Sequence, residues 1–312
     1  MQKEEETVSA ECHNGRFSGA FRTATIIAVT GVLALVGCAK NNDTVEANND
    51  VSKCAEKFKD IPTTMPVTNK DAGTLIVGTN PPYKPNEFKD ETGKLVGFDI
   101  DLTDAVAAEL GYKTDYRESS FDTIIPSIEG CNYDLGVSSF TDNKEREKTV
   151  DFVTYFSAGS SWAQRTGAGI DPDNACGKKV AVQSKTVQET DELPAKNKKC
   201  TDAGKPAIQV VPFDSQDLAT NAVVLGQADA MSADSPVTAY AIKANPGKLE
   251  PAGVVFDSAP YGWPVAKKSK LSDAMVAALK SLIANGKYKE IAAKWGLEGG
   301  MITEPQINGA TS

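Results

Sequence analysis

A short polar segment, Ser138-Ser139-Phe140-Thr141, follows a strand-like run, and Arg146 comes five residues after its last member. Hydroxyl and backbone N–H groups at the end of a strand can bind an anion, and a guanidinium can bind a carboxylate through two parallel hydrogen bonds. The alternative is that the charged residues around Arg146 form a solvated helix face and pair with one another. The residue types alone therefore indicate a candidate carboxylate site and leave both interpretations open.

Two further side chains could complement that site. Asp234 ends a strand-like run and precedes Ser235-Pro236, so its carboxylate could receive an ammonium group or cap the following helix. Tyr83 follows the first strand-like run and could stack on a ligand or pack against the protein. A carboxylate-binding and an ammonium-binding group together are what a free amino acid requires.

The composition of the chain restricts the classes of function that it can have. The chain has 312 residues and a formal net charge of −9, which argues against nucleic acid or an anionic membrane surface as a partner. The one histidine, His13, lies in a segment that we expect to be removed. Without it, serine-histidine triads, cysteine-histidine pairs and histidine-ligated metal sites are excluded. We expect a binding protein rather than an enzyme, with no metal and no cofactor.

The N-terminal residues are typical of an export signal. Arg16 and Arg22 precede an apolar run from Ala24 to Val36, which is too short to span a bilayer but suits a signal-peptide core. The run ends in Leu35-Val36-Gly37-Cys38, which resembles the lipobox of bacterial lipoproteins. The resemblance implies a signal peptide over residues 1–37 and a lipid on Cys38; the alternative is an ordinary secretory peptide. The polar residues that follow, to about Asp50, are typical of a flexible tether.

The remaining cysteines agree with export. Without Cys12 and Cys38, four are left, and in an oxidising compartment they predict two disulfides with three possible pairings. We favour Cys176–Cys200, which would brace one local unit, and hence Cys54–Cys131. Unpaired buried thiols are the alternative. No CxxC spacing occurs, which disfavours a zinc site.

The body of the chain alternates between strand-like and helix-like patterns. Strands are predicted over 74–79, 113–118, 133–138, 179–183, 208–211 and 229–232, with amphipathic helices between and after them, including 271–284 and 288–295. We also expect a helix over 142–148, and one opened by the capping-box spacing of Thr186-Val187-Gln188-Glu189. Such alternation predicts parallel sheets covered by helices.

The alternation of strands and helices forms two blocks along the chain, and the last segments return to the first block. We therefore predict an α/β fold of two lobes, each a mostly parallel sheet flanked by helices, with a ligand cleft between them. Lobe 1 comprises residues 73–162 and 257–305, and lobe 2 comprises residues 163–256. The segments 160–164 and 255–260 should cross between the lobes, and residues 38–72 should form a tether and N-terminal extension.

Residues 73–296 resemble the polar amino-acid branch of the ABC-importer solute-binding proteins, those for histidine, glutamine, glutamate and basic amino acids (family 3 of the bacterial extracellular solute-binding proteins). The order and spacing of several segments together carry this resemblance. They are Val77-Gly78-Thr79-Asn80-Pro81-Pro82-Tyr83, Leu95-Val96-Gly97-Phe98-Asp99-Ile100-Asp101-Leu102, Phe121-Asp122-Thr123-Ile124-Ile125-Pro126-Ser127-Ile128, Ser138-Ser139-Phe140-Thr141 with Arg146, Thr186-Val187-Gln188-Glu189-Thr190, and Asp229-Ala230 with Asp234.

The resemblance implies a role for each candidate residue. The ligand carboxylate would be held by Ser138, Ser139, Thr141 and Arg146, helped by the turn at Thr186. Asp234 would pair with the α-ammonium group. Tyr83 and Phe121 would wall the ligand, and Asn80 and Gln183 would lie near its side chain. This outweighs the solvated-face interpretation of Arg146.

Two departures from the family bear on specificity. Lys185 stands where relatives usually have glycine, and it could either lack the required backbone freedom or offer a charge to the ligand. Asn86 stands where many relatives have an aromatic residue, for which Phe88 could substitute. Lys185 and Gln183 favour an acidic or amide ligand.

We therefore expect a monomeric, exported lipoprotein on the outer face of the cytoplasmic membrane. It would capture a polar amino acid by hinge closure and deliver it to an ABC-transporter permease. Two alternatives share the fold: a module that senses a ligand for a membrane receptor, and an exported lyase of the cyclohexadienyl dehydratase type. A mature chain without histidine disfavours the lyase.

Overall fold

The structure, a computed structural model, describes residues 52–311. The predicted signal peptide, Cys38 and the first part of the predicted tether lie outside the described residues. The strands are β1 Gly73–Thr79, β2 Phe88–Lys89, β3 Leu95–Val96, β4 Tyr112–Glu118, β5 Leu135–Gly136, β6 Val150–Arg165, β7 Lys179–Gln183, β8 Gln209–Phe213, β9 Ala230–Asp234 and β10 Leu249–Ala266. The helices are α1 Ser52–Glu56, α2 Phe98–Glu109, α3 Phe121–Glu129, α4 Leu193–Asp202, α5 Gln216–Val224, α6 Ser235–Ala244, α7 Lys270–Ala284 and α8 Lys287–Trp295.

Eight of these strands form one continuous sheet in the order β4-β1-β5-β10-β6-β9-β7-β8. β1 pairs in parallel with β4 and β5, and β7 pairs in parallel with β8 and β9. The two parallel halves are joined by β6 and β10, which run antiparallel to each other. The predicted two-lobed α/β class is confirmed, but the two lobe sheets are continuous because these two strands, of 16 and 18 residues, pass from one half to the other.

The apolar core is divided between the two halves of the sheet. One core cluster includes Leu75, Leu102 and Trp263 and lies among β1, α2, α7 and β10, whereas another includes Trp162 and Leu193 and lies among β6, β7 and α4. The β6–β10 register shifts on both sides of Phe256, where the chain passes from one half to the other. Irregular pairing there suits a hinge, and the predicted lobe boundaries near 162 and 257 remain a prediction.

The segment before β1 packs against lobe 1. Phe58 and Ile61 are buried in the lobe 1 core, and Lys57 pairs with Asp134 at 2.6 Å. The predicted extension over 38–72 is therefore folded onto the domain in its later part, because its apolar side chains find places in the core. Among the described residues, no helix is long and apolar enough to cross a membrane.

Both predicted disulfides are present. Cys54 joins Cys131 with a Cα–Cα distance of 5.2 Å, and Cys176 joins Cys200 at 5.6 Å. The first links the N-terminal segment to the end of α3, and the second links α4 to the turn before β7. The favoured pairing is confirmed.

The two disulfides should contribute unequally to stability. Their sequence separations are 77 and 24 residues, and the entropy lost by the unfolded chain grows with the length of the closed loop. Replacing Cys54 and Cys131 by serine should lower the free energy of unfolding by about 4.5 kcal/mol, against about 3.5 kcal/mol for the Cys176 and Cys200 pair. Urea unfolding of the two double variants measures this difference, and a larger loss for the shorter loop would contradict the prediction.

Candidate functional site

The segment after β5 brings the first candidate residues into the cleft. Ser138 and Ser139 are buried, and Ser139 has a φ of 48°, which turns the chain sharply away from the strand. Thr141 then forms an isolated bridge to Tyr261 of β10. The predicted helix over 142–148 is wrong: three residues, Arg146–Lys148, form a 3₁₀ turn. Within this segment the N–H of Arg146 donates to the side-chain Oδ1 of Asn143 at 2.8 Å, a local bond that competes with a regular helix.

Carbonyl groups and aromatic rings hold the guanidinium of Arg146 in place. Its Nη1 donates to Thr141 O at 2.9 Å and its Nη2 donates to Lys185 O, in lobe 2, at 3.1 Å. Its guanidinium lies 5.5 Å from the ring centres of both Phe121 and Phe140, and these rings stack with their centres 4.4 Å apart. Burial lowers the pKa of Arg146 to about 10, so the side chain is still a cation at neutral pH. A fixed cation over an aromatic floor can bind a carboxylate.

The turn after β7 faces Arg146 from lobe 2. Thr186 Oγ1 donates to Gln183 O at 2.7 Å, and the backbone N–H of Lys185 donates to Glu189 Oε2 at 2.6 Å. Lys185 has a φ of 65°, so the lysine adopts the left-handed backbone that favours glycine. Its side chain is exposed, and its link with Arg146 runs through its backbone carbonyl.

Asp234 is the acidic group of the cleft. It is 7% exposed, and its side chain does not cap α6, which begins at the next residue. Its Oδ2 accepts from the Tyr83 hydroxyl at 2.8 Å and its Oδ1 accepts from Gln188 Nε2 at 2.9 Å. Burial raises the pKa of Asp234, while these hydrogen bonds and the charge of Arg146 act in the opposite direction. A buried carboxylate of this kind can accept an ammonium group.

A pair of amides bridges the lobes at another place in the cleft. Gln183 Nε2 donates to Asn80 Oδ1 at 2.7 Å, and Asn80 Nδ2 donates to Ser119 O at 2.7 Å. Nearer the rim, Lys84 Nζ lies 3.9 Å from Asp217 Oδ2. Together with Tyr83–Asp234, these contacts hold the two lobes directly against each other.

The candidate residues converge on one cavity. Nine of the eleven line it, namely Tyr83, Phe121, Ser138, Ser139, Thr141, Arg146, Gln183, Thr186 and Asp234. Asn80 reaches it through Gln183, and Lys185 lines an open pocket of about 420 Å³ next to it. The cavity itself measures about 10 Å³, roughly the room for one water molecule. A cavity of this size is too small to hold an amino acid.

Two lining residues were missed by the sequence reasoning, Val187 and Gln188. Both belong to the turn that begins at Thr186, for which the spacing predicted a capping box. Thr186 Oγ1 donates to Gln183 O instead and no side chain of the described residues caps this turn, so the segment was recognised while these side chains were not. Their orientation depends on a wide helical turn over Gln188–Glu192 that precedes α4, and residue spacing did not predict it. Asn86 and Phe88 also differ from expectation: Asn86 is fully buried and bonds Ser139, whereas Phe88 packs edge-on against Trp295.

Comparison with known proteins gives a consistent result. The family model for bacterial extracellular solute-binding proteins, family 3, matches residues 75–298. An arginine-binding protein of Corynebacterium glutamicum is 37% identical over 287 residues, which cover 91% of this chain and 94% of that protein.

Solved structures of amino acid-binding proteins are also similar to this chain. An ancestral arginine-binding protein bound to arginine has a TM-score of 0.66 and 36% identity over 72% of this chain and 98% of its own; the values are nearly the same when it is bound to glutamine. An ancestral amino acid-binding protein described as a precursor of cyclohexadienyl dehydratase has a TM-score of 0.62 and 30% identity, and the match covers 79% of this chain and 99% of that one.

The direct bond between the lobes at Tyr83 should contribute to stability. In Tyr83→Phe, Asp234 Oδ2 loses a buried hydrogen-bond donor, so the free energy of unfolding should fall by about 1–2 kcal/mol. Urea unfolding measures the change. Tyr240→Phe, which removes a hydroxyl from a partly exposed tyrosine of α6, is the matched control, and equal losses in the two variants would contradict the assignment.

Proposed function

The chain belongs to family 3 of the bacterial extracellular solute-binding proteins, and from that premise we propose that it captures one polar amino acid between its lobes. Proteins of this kind bind amino acids outside the cytoplasm for ABC importers. The role of each side chain in this protein is our proposal.

Opposite charges on opposite lobes carry the proposal. Arg146 of lobe 1 and Asp234 of lobe 2 line the same small cavity, and a free amino acid is a zwitterion that carries the complementary pair of charges. The ligand carboxylate would receive hydrogen bonds from Arg146 and Thr141 and would lie against the segment at Ser139. Its ammonium group would donate to Asp234. A ligand that bridges the lobes in this way favours the closed state by its contacts with both.

Closure itself has support in the strand arrangement. The lobes are joined by β6 and β10, whose pairing is irregular around Phe256. Rotation there would separate Tyr83 from Asp234 and Asn80 from Gln183 and open the cleft between them. We propose that a membrane permease recognises the closed form, and that the protein works as a monomer anchored through lipid on Cys38.

The ligand class follows from the amide pair and from the relatives. Asn80 and Gln183 offer both N–H donors and carbonyl acceptors, which suits an amide or a guanidinium side chain. Lys185 is exposed, which weakens the argument for an acidic ligand. A relative is named for arginine and a similar structure is bound to glutamine. We therefore propose arginine or glutamine ahead of glutamate or aspartate.

A lyase is the second candidate, since one similar structure is a precursor of cyclohexadienyl dehydratase. That precursor is itself described as an amino acid-binding protein. Its similarity therefore supports binding first, and an enzyme would need an acid–base group aimed at the ligand. The acidic group on the cavity wall, Asp234, is already engaged by Tyr83 and Gln188.

Binding should be visible as thermal stabilisation. At a ligand concentration about 100-fold above Kd, binding adds about 2.7 kcal/mol, so the melting temperature should rise by about 5–10 °C. The measurement is a thermal-shift screen of residues 50–312 against the twenty amino acids plus ornithine, citrulline and cystine. No shift with any of them would overturn the amino-acid proposal.

Removing either charge should greatly reduce that stabilisation. Arg146→Ala and Asp234→Ala each leave one charged end of the ligand unpaired, which should weaken binding by about 2–5 kcal/mol, roughly 30-fold or more. Calorimetric titration measures it. Arg117→Ala and Asp202→Ala remove the same charges from exposed positions and should bind like the parent protein. Unchanged affinity in the Arg146 and Asp234 variants would contradict the assigned roles.

The proposed position of the ligand side chain, beside Asn80 and Gln183, can be tested by one isosteric substitution. Asn80→Asp adds a negative charge beside Gln183, so it should raise affinity for arginine relative to glutamate by roughly 10-fold or more. Asn132→Asp makes the same change at an exposed site of lobe 1 and should leave the ratio unaltered. If both variants keep the parent ratio, Asn80 does not face the ligand side chain.

A further inference from the structure

Two acidic side chains lie behind the serines of the site. Glu87, just before β2, and Asp99, in the first turn of α2, are both 0% exposed. Among residues 52–311, no lysine or arginine forms an ion pair with either carboxyl group. Buried carboxylates without a cation are unfavourable, so their presence needs a physical explanation.

Each carboxyl group holds one of the two serines. Glu87 Oε1 accepts from Ser138 Oγ at 2.6 Å. Asp99 Oδ2 accepts from the backbone N–H of Ser139 at 2.8 Å, from its Oγ at 3.1 Å and from the Tyr155 hydroxyl at 2.8 Å. The remaining oxygens, Glu87 Oε2 and Asp99 Oδ1, are buried and have no hydrogen-bond partner within the described part of the chain. One oxygen of each group is thus fixed and the other is free to carry a proton.

The surroundings of Glu87 and Asp99 disfavour ionisation of both carboxyl groups at the same time. Burial, and then the charge of Asp99, raises the pKa of Glu87 well above its ordinary value, and burial raises the pKa of Asp99 to about 6. Asp234 adds further negative charge from lobe 2. The tyrosines nearby, Tyr83 and Tyr155, have raised pKa values, again chiefly through burial. Like charges in one buried site disfavour simultaneous ionisation.

We propose that Glu87 carries a proton while Asp99, which accepts three hydrogen bonds, is ionised, and that both act as positioning residues that fix the turn at Ser138 and Ser139 against which the ligand carboxylate lies. This rests on the proposed amino-acid site. With the proton in place, the pair carries one negative charge. When it is lost, a second negative charge appears directly behind the serines. That charge repels both the ligand carboxylate and Asp234, so ligand affinity should fall as the pH rises.

The Glu87→Gln variant tests directly whether Glu87 carries a proton. The amide keeps an oxygen for Ser138 and places an N–H on the other side, where the proton would sit. We expect this variant to bind at pH 6 within about threefold of the parent protein. Between pH 6 and 8.5 the parent should lose about 10-fold or more in affinity, and the variant should lose little. Calorimetric titration with the amino acid found in the thermal-shift screen provides the measurement.

Two comparison variants make the result specific. Glu91→Gln removes an exposed glutamate of the same lobe and should keep the parent pH profile. Asp142→Asn removes another group near the site, whose pKa is raised to about 7 by burial and by Glu147. If Asp142→Asn abolishes the pH dependence and Glu87→Gln retains it, the proton lies elsewhere and the proposal is overturned. A parent affinity that is constant from pH 6 to 8.5 would overturn it as well.

A second readout needs no ligand. In protein labelled with ¹³C at glutamate Cδ, the resonance that is missing from Glu87→Gln should have the chemical shift of a protonated carboxyl at pH 6. A shift typical of an ionised carboxylate there would overturn the protonated Glu87 even if an amino acid binds. If no amino acid binds, the proposed function fails, while the resonance still decides whether Glu87 holds a proton.

Discussion

Two opposite charges in one narrow, buried cleft, Arg146 on lobe 1 and Asp234 on lobe 2, determine how the rest of the site is built. Burial disfavours both charges: it lowers the pKa of the arginine and raises that of the aspartate. Each is therefore surrounded by compensating groups. Carbonyl oxygens and aromatic faces surround the cation, and hydrogen-bond donors from Tyr83 and Gln188 surround the anion. Two of these groups, the carbonyl of Lys185 and the hydroxyl of Tyr83, come from the opposite lobe, so the electrostatics of the site depend on how the lobes meet.

The sheet explains how one chain can supply both sides of such a site. Parallel strands in each half end towards the cleft, so the loops after β1 and β5 face those after β7 and β9. The long strands β6 and β10 keep the halves in one sheet, while their irregular pairing near Phe256 leaves room for rotation. The serine segment after β5 is in turn held from behind by Glu87 and Asp99. In the proposed closure, movement would be confined to the crossing strands, and the binding groups would stay fixed within each lobe.

Part of the fold could be predicted from the sequence because it depends on local properties of the chain. Strand and helix order, the helix over 271–284 and the pairing of Cys176 with Cys200 are local properties, recorded by periodicity and short spacing. The contact of Arg146 with Lys185 O joins residues 39 apart, and that of Gln183 with Asn80 joins residues 103 apart. No periodicity encodes such pairs, and the roles of these residues came from the resemblance to a family. The wrong helix over 142–148 has a local origin, since the side chain of Asn143 accepts the N–H of Arg146 and competes with a regular helix.

The N-terminal segment determines which lobe any upstream anchor would hold. Cys54 is bonded to Cys131, and Phe58 and Ile61 are buried in the lobe 1 core, so a pull on the chain before Cys54 reaches lobe 1 first. A lipid on Cys38 would be separated from Cys54 by 16 peptide units, which span at most about 55 Å when fully extended. Lobe 1 would then remain near the membrane, and lobe 2 would swing about the crossing strands. Ligand capture would change the orientation of lobe 2 relative to the membrane, and a permease could distinguish the closed form from the open one by that difference.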